Sequence, residues 1–356
     1  MSKPFVIRNK KISLPIVQGG MGVGVSRSSL ASSVINCGGI GTISASQIGY
    51  TNPDFNKGPK QAYAANIKVL KEEISKVRAV SSGFLAVNIL TASRQYADLA
   101  KAAVEAGADA LVSGAGLPLD MPAYTAGSET ANIPIVSSSR ALNLICKRWK
   151  KRYNTLPDAV VVEGPMAGGH LGVKYEDIQT HKIEDNLDKR FLDVKDYLAK
   201  NKIDIPVIVA GGIFTRSDAK KYFDLGASAI QVGTRFIGTV ECDADEAFKQ
   251  KFVDSNEDDV RYVKSPVGYP ARALSNQMTK ELDLGNIAVD KCLACVIPCA
   301  GRHPSTPYCI TDKLIMAVNG DVDNGLVFTG ANGYRIEEIT TVSDVIEELL
   351  GKESNE

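Results

Sequence analysis

Neither sign of charge dominates this chain: 41 Lys and Arg face 41 Asp and Glu, for a net charge of zero. A nucleic-acid binder working through a strong overall positive field is therefore excluded, although a local basic patch survives such cancellation. Long apolar runs are missing too; none reaches the ~20 residues of a membrane-spanning helix. The opening residues, MSKPFVIRNKK, lack the apolar stretch of a secretory signal. Together these absences predict a cytoplasmic protein with no membrane and no nucleic-acid partner. Cysteines number seven, an odd count. In a chain without an export signal this points to reduced thiols or cofactor ligands, not a disulfide scaffold. Histidine is scarce, with three residues. What is present is ordinary: 44% hydrophobic and 23% charged residues exclude disorder or coiled coil as the main state. The 356 residues suit two domains of about 150 residues each, or one (β/α)8 barrel with insertions.

Short apolar runs rich in Val and Ile recur at 14–18, 39–44, 84–90, 110–114, 133–137, 159–163, 205–210 and 229–233. They are apolar on both faces, as buried parallel strands are. Helical patterns lie between them. The clearest covers 61–80, where Tyr63, Ile67, Leu70, Ile74 and Val77 form one stripe and Gly83 follows its end. Shorter ones fall at 94–106, 141–153, 193–200 and 217–225. Strands alternating with helices imply a parallel sheet with right-handed crossovers. Eight repeats suggest an α/β fold of the (β/α)8 TIM-barrel type, with a doubly wound open sheet as the competing arrangement. The rhythm stops near Asp254, so residues 1–254 read as the barrel. Residues 255–356 read as a C-terminal extension packed on it, with helices at 310–318 and near 342–350 and a Cys-containing segment at 292–309.

Four motifs could carry chemistry. Gln18-Gly-Gly-Met-Gly-Val-Gly24 ends the first strand. It resembles a dinucleotide fingerprint, but the acid such a site needs about 20 residues on is absent from Gly41-Thr-Ile-Ser-Ala-Ser46. Val209-Ala-Gly-Gly-Ile213, with Thr215 opening a helix, and Gln231-Val-Gly-Thr-Arg-Phe236 follow the seventh and eighth strands. Loops there form phosphate sites in barrels, and N–H groups of Gly211, Gly212, Gly233 and Thr234 would point at the anion. Glu163-Gly-Pro-Met-Ala-Gly-Gly-His170 ends the sixth strand and opens a long connection. A His between glycines at that end of a barrel strand stands where catalytic groups stand, and its neutral-range pKa suits proton transfer. His181 reads as a solvated surface residue and His303 as a loop residue. The fourth motif is Cys292-x2-Cys295-x3-Cys299-x9-Cys309. Four soft ligands within 18 residues suit an iron–sulfur cluster of the [4Fe–4S] type or zinc, with plain thiols as the third possibility. Cys37, Cys146 and Cys242 read as small core residues.

Six stretches occur in a telling order: Pro15-Ile-Val-Gln-Gly-Gly-Met21, Gly38-Gly-Ile-Gly41, Ala86-Val-Asn88, Ala167-Gly-Gly-His-Leu-Gly172, Ala210-Gly-Gly-Ile213 and Gln231-Val-Gly-Thr-Arg-Phe236. Over roughly residues 10–280 the chain resembles the nitronate monooxygenase (2-nitropropane dioxygenase) family, which also contains the flavin-dependent enoyl-ACP reductase II. The resemblance implies an FMN-binding TIM barrel and an oxidoreductase acting on a small molecule. It implies that Gly20, Met21 and Gly22 lie against the isoalloxazine through their backbone and that Asn88 hydrogen-bonds the flavin. Glu163, where many relatives have Gln, would face FMN with Gly168 beside it. Gly211, Gly212, Gln231, Val232, Gly233 and Thr234 would hold the phosphate, and His170 matches the active-site His. Two activities follow: oxidation of alkyl nitronates by oxygen to a carbonyl compound and nitrite, or reduction of an enoyl thioester or quinone by NAD(P)H. Gln-Gly-Gly-Met near the start, Leu171 after the His, Ser113-Gly-Ala-Gly116 and the 268–276 segment lean to the reductase. Leu117-Pro-Leu-Asp120 is similar to a turn of the monooxygenases. The Cys segment matches neither pattern, and a homodimer is the assembly considered.

Overall fold

The computed structural model describes residues 4–172, 176 and 186–351. Eight parallel strands form its centre: β1 (Ile16–Gln18), β2 (Gly41–Ser44), β3 (Leu85–Leu90), β4 (Ala110–Gly114), β5 (Ala131–Val136), β6 (Val160–Glu163), β7 (Val207–Ala210) and β8 (Ala229–Val232). From β2 onward each pairs with the next in chain order, and β8 pairs with β1. A parallel bridge between Val17 and Ile40 joins β1 to the approach to β2, with Gln18 N–H donating to Ile40 O at 2.9 Å. The sheet is thus closed into a TIM barrel, and the open-sheet alternative falls away.

Alternation along each strand builds two cores. Inward residues are small or β-branched (Val17, Ala86, Val112, Ile133, Val161, Ile208) and pack on Phe5, Ile7 and Ile12. These three come from an N-terminal hairpin, Phe5–Ile7 with Lys10–Ile12, that plugs one end of the barrel. The opposite set (Ile43, Leu85, Val87, Leu111, Val162, Val209, Ile230) packs on the surrounding helices. At the plugged end Asp109, 7% exposed, gathers Lys10, Arg78 at 2.7 Å and the N–H of Leu85 at 2.7 Å. A buried carboxylate needs that much compensation.

The helices follow the expected order, with bounds shifted by tertiary contacts. Pro59–Val80, Tyr96–Glu105, Ser139–Tyr153, Leu187–Lys200 and Arg216–Asp224 fall on the stretches read as helical, the second bounded one or two residues inside its stretch and the fifth ending one residue short. Leu187–Lys200 starts six residues earlier than its pattern suggested. A one-turn helix, Pro122–Thr125, went unread because four residues carry no periodicity.

The packing divides the chain differently from a cut at 254. The last helix, Val342–Leu350, buries Val342, Val345, Ile346 and Leu349 in the main core, between Arg216–Asp224 and the first barrel helix, Ser28–Asn36. It is the eighth helix of the ring. What was read as an appended extension is therefore largely an insertion between β8 and its helix. Within it, Val260–Val263 and Ala271–Leu274 form an antiparallel sheet with the two-residue strand Gly169–His170 from the loop after β6.

Leu349→Ala should lower stability by about 3 kcal/mol, the cost of truncating a buried Leu. The readout is the urea transition followed by fluorescence of Trp149, the single Trp, which shares this core. A Trp149 transition that did not move would show that the last helix stands outside the barrel core.

Candidate active site

At the C-terminal ends of the strands lies a cavity of about 310 Å³. Gly20, Met21, Gly22, Asn88, Glu163, Gly168, His170, Gly211, Gly212, Gln231, Val232, Gly233 and Thr234 all line it. The sequence-derived set is thus brought together in one place. Cys295 also reaches its wall.

The floor after β1 is a narrow turn. A Cβ on Gly20 would stand 2.3 Å from Asn88 Cβ, and one on Gly22 would stand 2.6 Å from Ser46 Cβ. The turn is tied internally: Met21 N–H donates to Ser26 Oγ at 3.0 Å, and Ser26 N–H donates to Met21 O at 3.0 Å. The Met21 N–H is therefore engaged within the protein.

Beyond it, the turns after β7 and β8 face each other. Gly211 and Gly212 have φ of 99° and 86°, which side chains rarely tolerate. Among the described residues, no backbone or side-chain hydrogen bond takes the N–H groups of Gly211, Gly212, Gly233 and Thr234. The helix Arg216–Asp224 contributes less than its position suggested. Asp218 accepts from the N–H groups of Phe214 at 3.0 Å and Thr215 at 2.8 Å, so the helix start is closed by its own capping box. Positive charge comes instead from Arg235, which lines the cavity, pairs with Glu348 and has a buried Nε without a partner among the described residues. Burial, then the neighbouring Arg335, lower the Arg235 pKa. Both guanidiniums stack on Phe214, at 4.7 and 4.6 Å from the ring centre. Sequence reasoning missed this pair, and also the segment 328–333. There Gly330 N–H donates to Thr234 Oγ1 at 2.9 Å and Asn332 Nδ2 donates to Gly212 O at 2.7 Å. Phe328-Thr-Gly-Ala-Asn-Gly333 is glycine-rich, which was the available signal.

His170 stands on the opposite wall. Its strand pairs with Ala271 of the insertion, its Nε2 is 2.8 Å from Ser265 Oγ, and its ring meets Phe328 edge-on at 5.2 Å. Burial alone pulls its pKa down to about 4, so the imidazole is neutral at physiological pH. Arg272, 2% exposed, braces the loop that carries it: its guanidinium donates to Pro165 O at 3.0 Å, to Ala167 O and to Tyr262 OH at 3.0 Å. Glu163 ends β6. Burial pushes its carboxyl up to about 7, opposed by Arg190.

The remaining candidates separate. Among the described residues no three His, Cys, Asp or Glu side chains converge to hold a metal ion, so the sulfurs of Cys292, Cys295, Cys299 and Cys309 do not point to one centre as they stand. Burial pushes the thiols of Cys295 and Cys309 up, the latter to about 11. Cys146 and Cys242 are buried, as small core residues are, while Cys37 is half-buried. His303 is exposed and bonds Ser305. His181 lies outside the described residues. No helix among them is long and apolar enough to cross a membrane.

Comparison with known proteins matches residues 3–352 to the nitronate monooxygenase family model. The chain belongs to the nitronate monooxygenase family. With it, the chain is an oxidoreductase of the flavin-dependent kind. A probable nitronate monooxygenase of Bacillus subtilis is 26% identical over 76% of this chain and 80% of its own length. One from Staphylococcus aureus is 25% identical over 76% and 78%. FabK from Thermotoga maritima superposes with a TM-score of 0.70 at 25% identity, covering 94% of this chain and 91% of its own. Nitroalkane oxidase from Streptomyces ansochromogenes shares the fold, with a TM-score of 0.70 at 21% identity over 94% of each chain.

The raised Glu163 carboxyl has a pH consequence. Between its ordinary value near 4.5 and its folded value of about 7, the folded protein keeps a proton that the unfolded chain has released. Stability is present at low pH and lost as pH rises through this window, by up to about 1.4 kcal/mol per pH unit. Relative to Glu163→Gln, the wild type should weaken from pH 5 to pH 7 in urea titrations. Parallel curves for the two proteins would mean that Glu163 titrates normally.

Proposed function

We propose that this family member is an FMN-dependent oxidoreductase that oxidises alkyl nitronates with dioxygen, releasing a carbonyl compound and nitrite. The observation that carries the reading is His170: a neutral imidazole held by Ser265 on the wall of a cavity whose other wall is glycine backbone.

The residues present suit FMN. Gly20 and Gly22 have no room for side chains and make a floor for a flat ring system. The N–H groups of Gly211, Gly212, Gly233 and Thr234 suit a phosphate, and the partnerless Nε of Arg235 adds the charge a dianion requires. FMN, when bound, supplies the electron transfer from substrate to oxygen. The protein's part is binding and proton handling. His170 offers a hydrogen bond to a nitronate oxygen, or holds a proton at the ring nitrogen not facing Ser265. Phe328, Val267 and Ile135 line the cavity with apolar surface and exclude water, which strengthens those contacts. Glu163, protonated below about pH 7, offers a donor where its charged form would repel an anionic substrate.

A second reading is an NAD(P)H-dependent reductase of the enoyl-ACP reductase II type. The likeness to FabK over 94% of the chain supports it, as do Arg235 and Arg335, both stacked on Phe214, two cations suited to a second phosphate-bearing ligand.

Anaerobic rapid mixing separates the two. The nitronate alone should bleach the flavin absorbance, and NAD(P)H alone should not; fast bleaching by NAD(P)H with none by nitronate would replace the first reading by the second. His170→Ala should retain flavin while turnover drops about 100-fold or more. Turnover that survives in this variant would remove His170 from the reaction.

A further inference from the structure

The oxidoreductase reading leaves the four clustered cysteines without a task. Their loop is anchored with unusual care. Ser93 and Val296 form an antiparallel bridge, Arg94 N–H donates to Cys295 O at 3.1 Å, and Ile297 N–H donates to Ala92 O at 2.9 Å. The Arg94 guanidinium reaches the carbonyls of Val296 and Ile297 at 3.2 and 3.3 Å, and Tyr63 OH donates to Ala294 O at 2.6 Å. The segment after β3 thereby holds the backbone between the second and third cysteines against the barrel.

The sulfurs are served by that backbone. Ala294 N–H donates to Cys292 Sγ at 3.4 Å, and Gly301 N–H donates to Cys299 Sγ at 3.4 Å. Both bonds run from two residues downstream, so two turns aim amide N–H groups at sulfur. The turns meet: a Cβ on Gly301 would stand 3.3 Å from Cys292 Sγ. Cys295 is within electrostatic range of Cys292 and Cys299, and Cys309 is within range of Cys295 and Cys292. Cys309 stands at the N-cap position of the nine-residue helix Ile310–Val318. Buried Tyr308, 0% exposed, pins the approach to it. None of the four is in a disulfide.

We propose that Cys292, Cys295, Cys299 and Cys309 are the thiolate ligands of an iron–sulfur cluster, seated beside the cavity with Cys295 as the ligand on its wall. Zinc uses the same thiolate chemistry, but the intervals of two, three and nine residues lack the paired short spacings of structural zinc sites. Hydrogen bonds to cluster sulfurs are a recognised control on potential, and two are already in place on the ligand atoms. The sulfurs do not converge as they stand. A Cys sulfur is redirected by rotation about its single Cα–Cβ bond, so the cluster asks for side-chain rotation on a backbone that is already tied down.

The site is independent of the substrate and of the flavin, and its test reads neither. The full chain is purified anaerobically, and iron, acid-labile sulfide and zinc are measured per chain. About four irons and four sulfides are expected for a four-iron cluster. Cys292→Ser and Cys299→Ser should each lose most of that iron while keeping the Trp149 fluorescence of the folded barrel, and Cys37→Ser should keep it all. Should the serine variants fail to fold, the metal content of the wild type still decides. About one zinc per chain without iron would overturn the cluster. Neither metal, with all four thiols open to alkylation, would overturn the site altogether.

Discussion

A buried guanidinium cannot be left without acceptors, and in this protein Arg272 imposes that demand on everything around it. It sits on a strand of the insertion, yet its acceptors are the carbonyls of Pro165 and Ala167 in the loop after β6. Removing either side would strand a charge in the interior, at a cost of several kcal/mol. The charge therefore locks the insertion to the barrel, and the register it fixes, Arg272 opposite Gly169, sets Ala271 opposite His170. The position of the candidate catalytic imidazole is thus determined by a charge one position away in the register and about a hundred away in sequence.

The cavity is electrostatically divided. One end carries N–H groups without a partner among the described residues and the guanidinium of Arg235, which packs with Arg335 on Phe214 so that an aromatic face offsets their mutual repulsion. The other end holds His170 and Glu163, two ionisable groups that burial keeps near neutrality in opposite ways, by lowering one pKa and raising the other. An elongated ligand with an anionic tail and an uncharged head is matched to that polarity. The same division explains why the helix Arg216–Asp224 can cap itself with Asp218: the anion end draws its positive potential from arginine side chains.

Much of this was legible beforehand, for physical reasons. Strands buried on both faces are nearly all apolar, so the eight runs from 14–18 to 229–233 stood out; seven contain their observed strand, and the run at 133–137 overlaps a strand that starts two residues earlier, at Ala131. Glycines such as Gly211 and Gly20 mark backbone that side chains would obstruct, and His170 is one of only three histidines, so these positions announced themselves. What stayed hidden depends on distance. Nothing local links Arg272 to Pro165, Arg235 to Phe214 and Arg335, or Asn332 to Gly212; each relation exists because two remote segments meet. The last helix was found at its right place but assigned to an appendage. Its amphipathic stripe does not say which neighbours it buries against.

That last helix also orders events during synthesis. Val342–Leu350 closes the ring between the first barrel helix, Ser28–Asn36, and Arg216–Asp224. As the chain emerges from the ribosome, β1 to β8 and seven helices are available well before the element that seals them. Until Val342–Leu350 has emerged, the first and seventh helices expose apolar flanks to water. A nascent chain of this architecture depends on shielding of that seam until then, and a product cut before Val342 inherits an open one.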